Sequence, residues 1–192
     1  MKLGCVWMAS GQGKRFGSNK LMADLSGQPV IAYALKAVPP ELFVCKLVVT
    51  RWHTVAEFCQ TQGIPALLHD RVDRNEVIAL GIARMQGMDG CLFFQGDQPL
   101  CSGDSIRNLV ENFKEQPNKI HRLSWNKTQA SPVIFPAHLF DALEHLSAKQ
   151  GGGTIIAQNP HLVQLTQALF PWELWDVDTP QALQEISRYL PK

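Results

Sequence analysis

Short apolar runs alternate along this chain with segments of helical periodicity, and that alternation restricts the fold more than any other feature. The runs are Leu3 to Ala9, Phe43 to Thr50, Ala66 to His69, Cys91 to Gln95 and Pro132 to Phe135. Between them, Pro29 to Val38, Thr54 to Gln62 and Arg74 to Gln86 read as helices that end at Pro39-Pro40, Gly63 and Gly87. Short apolar strands separated by helices predict a mostly parallel sheet with right-handed crossovers and helices on both faces. Trp7, on the first strand, belongs in the core of such a sheet. Further along, Ser102 or Asp104 caps a helix running through Lys114, Lys119 to Trp125 forms a strand, and Ala137 to Ser147 is helical. Asp178-Thr179-Pro180 starts a terminal helix through Tyr189.

At 192 residues, with no internal repeat or long linker, the expectation is a single domain over 1–192. A net charge of +1 and the absence of a run of five like charges argue against nucleic-acid binding, which needs an extended basic field. The first residues lack the length and cleavage site of a signal peptide, and no apolar stretch reaches a membrane span. Five widely spaced cysteines without a Cys-x-x-Cys pair read as buried thiols of a reducing compartment, so a cytoplasmic protein is expected.

The first strand runs into Ala9-Ser10-Gly11-Gln12-Gly13-Lys14-Arg15-Phe16-Gly17-Ser18-Asn19-Lys20, three glycines and three cations. Glycines let backbone N–H groups converge on phosphate oxygens, and Arg15 and Lys20 can neutralise charge that builds up during transfer. The glycine spacing fits neither the P-loop nor the dinucleotide-binding fingerprint. The alternative is a Gly-rich surface loop with solvated cations.

Gly96-Asp97-Gln98-Pro99 places a carboxylate just past an apolar strand, at the edge where ligands of open α/β sheets collect. Asp97 suits a hard divalent cation bridging to phosphate oxygens; a strand-ending turn is the plainer alternative. Asp176 and Asp178 lie on the same side of a Trp175-Asp176-Val177-Asp178 strand, so either can be a second oxygen ligand, or Asp178 can cap the terminal helix. Asp70, after the third strand, can meet ribose or base or simply form a turn. Trp125, Trp172 and Trp175 are open to two readings: stacking on a flat ligand or satellite packing.

Together these segments resemble the MobA-like nucleotidyltransferases, and among them the molybdenum cofactor cytidylyltransferases. The opening motif Leu-Ala-Ala-Gly-x-x-x-Arg-Met/Phe-Gly-x-x-Lys appears as Met8 to Lys20, Gly-Asp-x-Pro as Gly96 to Pro99, and Asp-x-Asp-Thr-Pro as Asp176 to Pro180. The resemblance implies a Rossmann-like three-layer sandwich and Mg²⁺-dependent transfer of CMP from CTP to the phosphate of a molybdopterin acceptor, with release of pyrophosphate. GTP is the nearest variant, and a non-catalytic nucleotide-binding scaffold for molybdoenzyme maturation is the rival. On this resemblance Arg15, Lys20 and Asp97 are catalytic. Ala9, Ser10, Gly11, Gln12, Gly13, Arg15, Lys20 and Asp70 bind the nucleotide, and Asp97 and Asp178 hold the metal. The N-terminal half takes the nucleotide and the C-terminal half the acceptor.

The chain departs from the family pattern in its second half. Ala130-Ser131-Pro132 stands where cytidylyltransferases read Gly-His-Pro, and Ala148 to Gly153 replaces Gly-Asp-Lys-Gly-x-Arg without its Lys and Arg at those places. Asp73 to Ile78 replaces a Gly/Ser-rich helix start that meets the nucleotide in the family, which leaves the base open. Ser131, Gln150 and Gly152 are the acceptor-binding candidates, with the backbone N–H groups of Gly151-Gly152-Gly153 in place of the missing charge.

Overall fold

The computed structural model describes residues 1–190. In chain order the strands are β1 (Leu3–Ala9), β2 (Asp24–Leu25), β3 (Gln28–Pro29), β4 (Cys45–Thr50), β5 (Ala66–Leu68), β6 (Gly90–Gln95), β7 (Ile120–Trp125), β8 (Thr128–Pro136) and β9 (Val163–Gln167). The helices are α1 (Val30–Ala37), α2 (His53–Thr61), α3 (Arg74–Ile82), α4 (Gly103–Glu115), α5 (Phe140–Glu144), α6 (Gly152–Gln158) and α7 (Pro180–Ile186). β2 and β3 pair with each other, and the other strands form one seven-stranded sheet in the order β5-β4-β1-β6-β8-β7-β9. Only β8 runs against the rest, antiparallel to both β6 and β7.

β1 lies between β4 and β6, parallel to both. A strand covered on both faces needs apolar side chains at every position, and this accounts for its unbroken Leu-Gly-Cys-Val-Trp-Met-Ala run. Leu3, Cys5 and Trp7 point into a core built with Ile31 and Leu35 of α1, Val55 and Cys59 of α2, and Leu109 and Phe113 of α4. The Trp7 indole N–H donates to the Ala34 carbonyl at 3.0 Å, so the buried ring keeps its polar atom paired. Val6 faces the opposite core, formed with Val77 and Ile82 of α3, Leu143 of α5 and Ile155 of α6. The expected α/β sandwich, a mostly parallel sheet between two helical layers, is the fold.

The second half holds the differences. The expected strand over 132–135 is a nine-residue strand, joined to β7 by a two-residue turn in which Asn126 takes φ 52°. Asparagine is among the few residues that adopt left-handed backbone readily, which is the local signal for that turn. The ladder slips between Arg122 and Leu123, pairing them with Val133 and Ala130, and leaves Ser131 and Pro132 without partners on β7. The expected helix over 137–147 is a single 3-10 turn, Ala137–Leu139, followed by the short α5. α3 stops at Ile82, four residues before Gln86. β9, at the sheet edge, has a sequence, Val-Gln-Leu-Thr-Gln, without the apolar run that marks β1, β4 and β6. Residues 175–178 form no strand; they are extended and tied down where the Val177 N–H donates to the Asp97 carbonyl at 2.9 Å.

Candidate active site

The loop after β1 folds around glycine. Gly13 takes φ +63°, and a Cβ built there would lie 2.1 Å from the Ser18 carbonyl oxygen, so no other residue fits without displacing backbone. The Gly13 carbonyl in turn accepts the N–H groups of Phe16 and Gly17 at 3.0 and 2.9 Å. Asn19 closes the loop by accepting the Leu21 N–H at 3.2 Å, starting the 3-10 turn Lys20–Met22.

That turn aims Lys20 at the two acidic motifs. Its ammonium pairs with Asp97 and lies 2.9 Å from Asp178, a residue 158 positions away in the chain. Arg15 reaches the other oxygen of Asp178 at 2.8 Å. Burial disfavours the charged Lys20, but the Asp97 charge and hydrogen bonds to both carboxylates overcome it and raise the pKa above the usual lysine value. Asp178 shows the reverse balance, with Lys20 and Arg15 outweighing desolvation and lowering its carboxyl. Asp176 stands beside this cluster without a cation of its own. Desolvation of its carboxyl, reinforced by the Asp97 charge, pushes it up to about 6, although the residue as a whole is exposed. Lys20 and Asp97 are 12% and 16% exposed, whereas Arg15 is 73% exposed.

Asp178 does not cap the terminal helix. The Thr179 hydroxyl does so, accepting the Ala182 N–H at 3.1 Å, and this leaves Asp178 free to pair with Lys20 and Arg15. Among the described residues no group of three His, Cys, Asp or Glu side chains closes into a metal cage.

Beside the loop lies a cavity of about 700 Å³, within the range of small-molecule sites. Ser10, Gly11 and Gln12 form one side, and Ser131, Gly152 and Gly153 another, so candidates from both halves of the chain line a single space. Met8, Phe93, Val133 and Phe135 supply its apolar wall. Lys20, Asp97 and Asp178 are not part of this lining, so the charged cluster and the cavity flank the loop as two regions. Ala9, Gly13 and Arg15 are also absent from the lining, and two further expected ligand residues lie apart from the loop as well. Asp70 is in a separate shallow depression with Arg51, His53 and His69, and the Gln150 side chain folds back to accept the Ser147 N–H at 3.0 Å. Ser131 does line the cavity, but its hydroxyl is engaged with β6: it accepts the Gln95 N–H and donates to the Phe93 carbonyl, at 3.2 and 3.3 Å. At the slipped ladder, where Pro132 has no N–H to give, this side chain stands in for backbone pairing.

Several site residues carry no motif. Trp52 donates its indole N–H to the Gly11 carbonyl at 3.0 Å. His69 Nε2 lies 2.7 Å from Ser10 Oγ, which also contacts the Val49 carbonyl at 3.0 Å, and His69 Nδ1 accepts the Arg71 N–H. A ring that accepts at Nδ1 carries its proton on Nε2, so His69 donates to Ser10 and Ser10 donates onward to Val49. Burial, with Arg51 adding to it, holds this imidazole below its usual pKa, in the neutral form the chain of bonds requires. Arg74 and Arg122 also line the cavity. The tryptophans left open resolve as packing: Trp172 stacks on Phe170 at 4.8 Å, Trp175 meets Tyr189 edge-on, and Trp125 packs on the core.

The sequence profile of the MobA-like NTP transferase domain matches residues 5–163, taking in the loop, Asp97 and the cavity wall. The chain belongs to this nucleotidyltransferase family. The MobA-like domain is 27% identical over 157 residues to "Bifunctional protein GlmU" of Francisella philomiragia, covering 76% of this chain and 33% of that one. It is 26% identical over 128 residues to a "Probable molybdenum cofactor guanylyltransferase" of Thermococcus kodakarensis, covering 66% and 61%. The domain thus spans about a third and about three-fifths of the lengths of these relatives. In fold it superposes on a nucleotidyl transferase from Methanothermobacter thermautotroptrophicus with a TM-score of 0.82 at 21% identity, over 98% of this chain and 97% of the other. Asp176 to Pro180 lies beyond the matched stretch, and its link to the loop rests on the Lys20 and Arg15 contacts.

Proposed function

We propose that the MobA-like domain transfers a nucleoside monophosphate from an NTP, CTP in the first reading, to the phosphate of a molybdopterin-type acceptor and releases pyrophosphate. The observation that carries this reading is the meeting of Lys20 with Asp97 and Asp178 beside a loop that also walls a ligand-sized cavity. A phosphate oxygen of the acceptor attacks the α-phosphorus and the pyrophosphate leaves, so no protein nucleophile is needed. The thiols fit this: burial raises the pKa of Cys5, Cys91 and Cys101 well above the usual value and that of Cys59 to about 11. Lys20 supplies a point charge, and the exposed Arg15 guanidinium engages two phosphate oxygens at once as negative charge builds on the leaving group.

Asp97 and Asp178 offer hard oxygen donors suited to Mg²⁺, and the buried Gln98 carries a side-chain oxygen without a hydrogen-bond partner. With Lys20 bridging the two carboxylates, this set fits a cation that arrives with the triphosphate. When bound, Mg²⁺ neutralises phosphate charge as a Lewis acid.

GMP transfer from GTP is the second reading, favoured by the guanylyltransferase relative. Pyrophosphate release from each of the four NTPs, measured with Mg²⁺ and purified molybdopterin, tests both. Release with CTP alone supports the first reading and release with GTP alone the second; no acceptor-dependent release with any NTP favours the scaffold rival.

A further inference from the structure

The cavity lining contains two arginines and no acidic residue. Arg122 comes from β7, at the point where the ladder to β8 changes register, a place where strands commonly redirect a side chain. Its Nε is buried without a hydrogen-bond partner, and one terminal nitrogen donates to the Gln129 side chain at 3.3 Å. Among the described residues no carboxylate comes within ion-pairing distance of Arg122 or Arg74. Arg74, in the first turn of α3, runs its stem over Gly151, where an added Cβ would lie 2.7 Å from Arg74 Cδ. A guanidinium half-buried among Phe93, Val133 and Phe135 with an orphaned donor is costly unless something supplies an acceptor oxygen.

We infer that Arg122 seats an oxyanion of a molecule bound in the cavity, at a place separate from that of the reacting phosphate. This rests on the nucleotidyl-transfer reading only for the position of the reacting phosphate. Arg122 is level with Val133 and Phe93, two strands out from β6, whereas Asp97 lies four residues beyond Phe93. At about 4.8 Å per strand and about 3.3 Å per residue, the backbone of Arg122 is already on the order of 12 Å from Gln95 at the end of β6, and Asp97 follows in the turn beyond it. The group at Arg122 is therefore a second anion. A carboxylate and a phosphate both match the guanidinium fork, and each can accept from Nε and a terminal nitrogen together.

The test uses the intact protein and three small probes: benzoate and phenyl phosphate, which carry an anion on an apolar body, and neutral benzyl alcohol. The Nε–Hε signal of Arg122, assigned through its own backbone, is followed by NMR during each titration. We expect benzoate or phenyl phosphate to move it in a saturable way and benzyl alcohol to leave it in place, the tighter anion naming the group. Arg122→Gln should weaken that anion by about ten- to hundredfold, the usual worth of a hydrogen bond to a charged group, with CTP and GTP affinity unchanged. Arg122→Lys should recover part of the loss. An Arg122 signal unmoved by both anions overturns the inference, as does an Arg122→Gln variant that loses nucleotide and anion binding equally. Saturable binding through Arg122 in a wild type that releases no pyrophosphate with molybdopterin keeps the anion seat and rejects only the proposed acceptor.

Discussion

Lys20 is the residue on which the charged cluster depends, because its ammonium neutralises two carboxylates that would otherwise repel each other. Asp97→Asn keeps the shape and removes a charge, and turnover should fall by about 10²-fold or more. Lys20→Ala should lower kcat more than it raises the KM for NTP, the pattern of an interaction made mainly in the transition state. Steady-state kinetics on the two variants decides this, and a Lys20→Ala effect confined to KM makes Lys20 a binding residue only. His69 yields a pH prediction. Its folded pKa lies below the ordinary 6.5, so the contribution of the neutral ring is complete above that value and is lost as pH falls through the folded pKa. Protonation removes the acceptor that Nδ1 offers to the Arg71 N–H and loosens the support behind Ser10. NTP affinity should therefore weaken more steeply on acidification in wild type than in His69→Gln, which gains no proton. Parallel titration curves for the two proteins would rule out a role for His69 in holding the loop.

The loop after β1 is the element whose chemistry was most legible in the sequence, since its glycines and cations are contiguous. The support beneath it was not, because Trp52 and His69 act through single contacts to Gly11 and Ser10 and leave no spacing pattern. The same distinction explains why buried strands, including β7 and the Pro132 to Phe135 part of β8, read as strands in the sequence, whereas the partly exposed start of β8 and β9 do not. It also explains Asp178, whose pairing depends on Thr179 taking the helix cap, a choice between neighbours that composition leaves open. Ser131 and Gly152 line the cavity, whereas Asp70 and Gln150 are turned elsewhere by local contacts. Gly13→Ala tests the element as a unit. The left-handed backbone and the clash with Ser18 should cost about 1–3 kcal/mol locally and weaken NTP binding about ten- to hundredfold, with the thermal midpoint little changed. Titration of NTP beside a melting curve separates loop damage from unfolding.

Across the whole molecule the two helical layers bury four of the five cysteines and leave Cys45 partly accessible, its thiol toward the Arg84 carbonyl. A thiol reagent should therefore label one site promptly in the native protein and five after denaturation; rapid labelling of a second native thiol would mean that the packing opens locally. Among the described residues no helix is long and apolar enough to cross a membrane. The single reversed strand, β8, has a consequence for divergence. Because β7 runs parallel to β6, the Asn126-Lys127 turn projects from the same rim of the sheet as the loop after β1. Extra residues inserted at that turn would extend over the rim without altering the register of β1, β4 or β6, so descendants of such a gene could exchange one acceptor for another by lengthening a hairpin and still inherit their triphosphate chemistry intact.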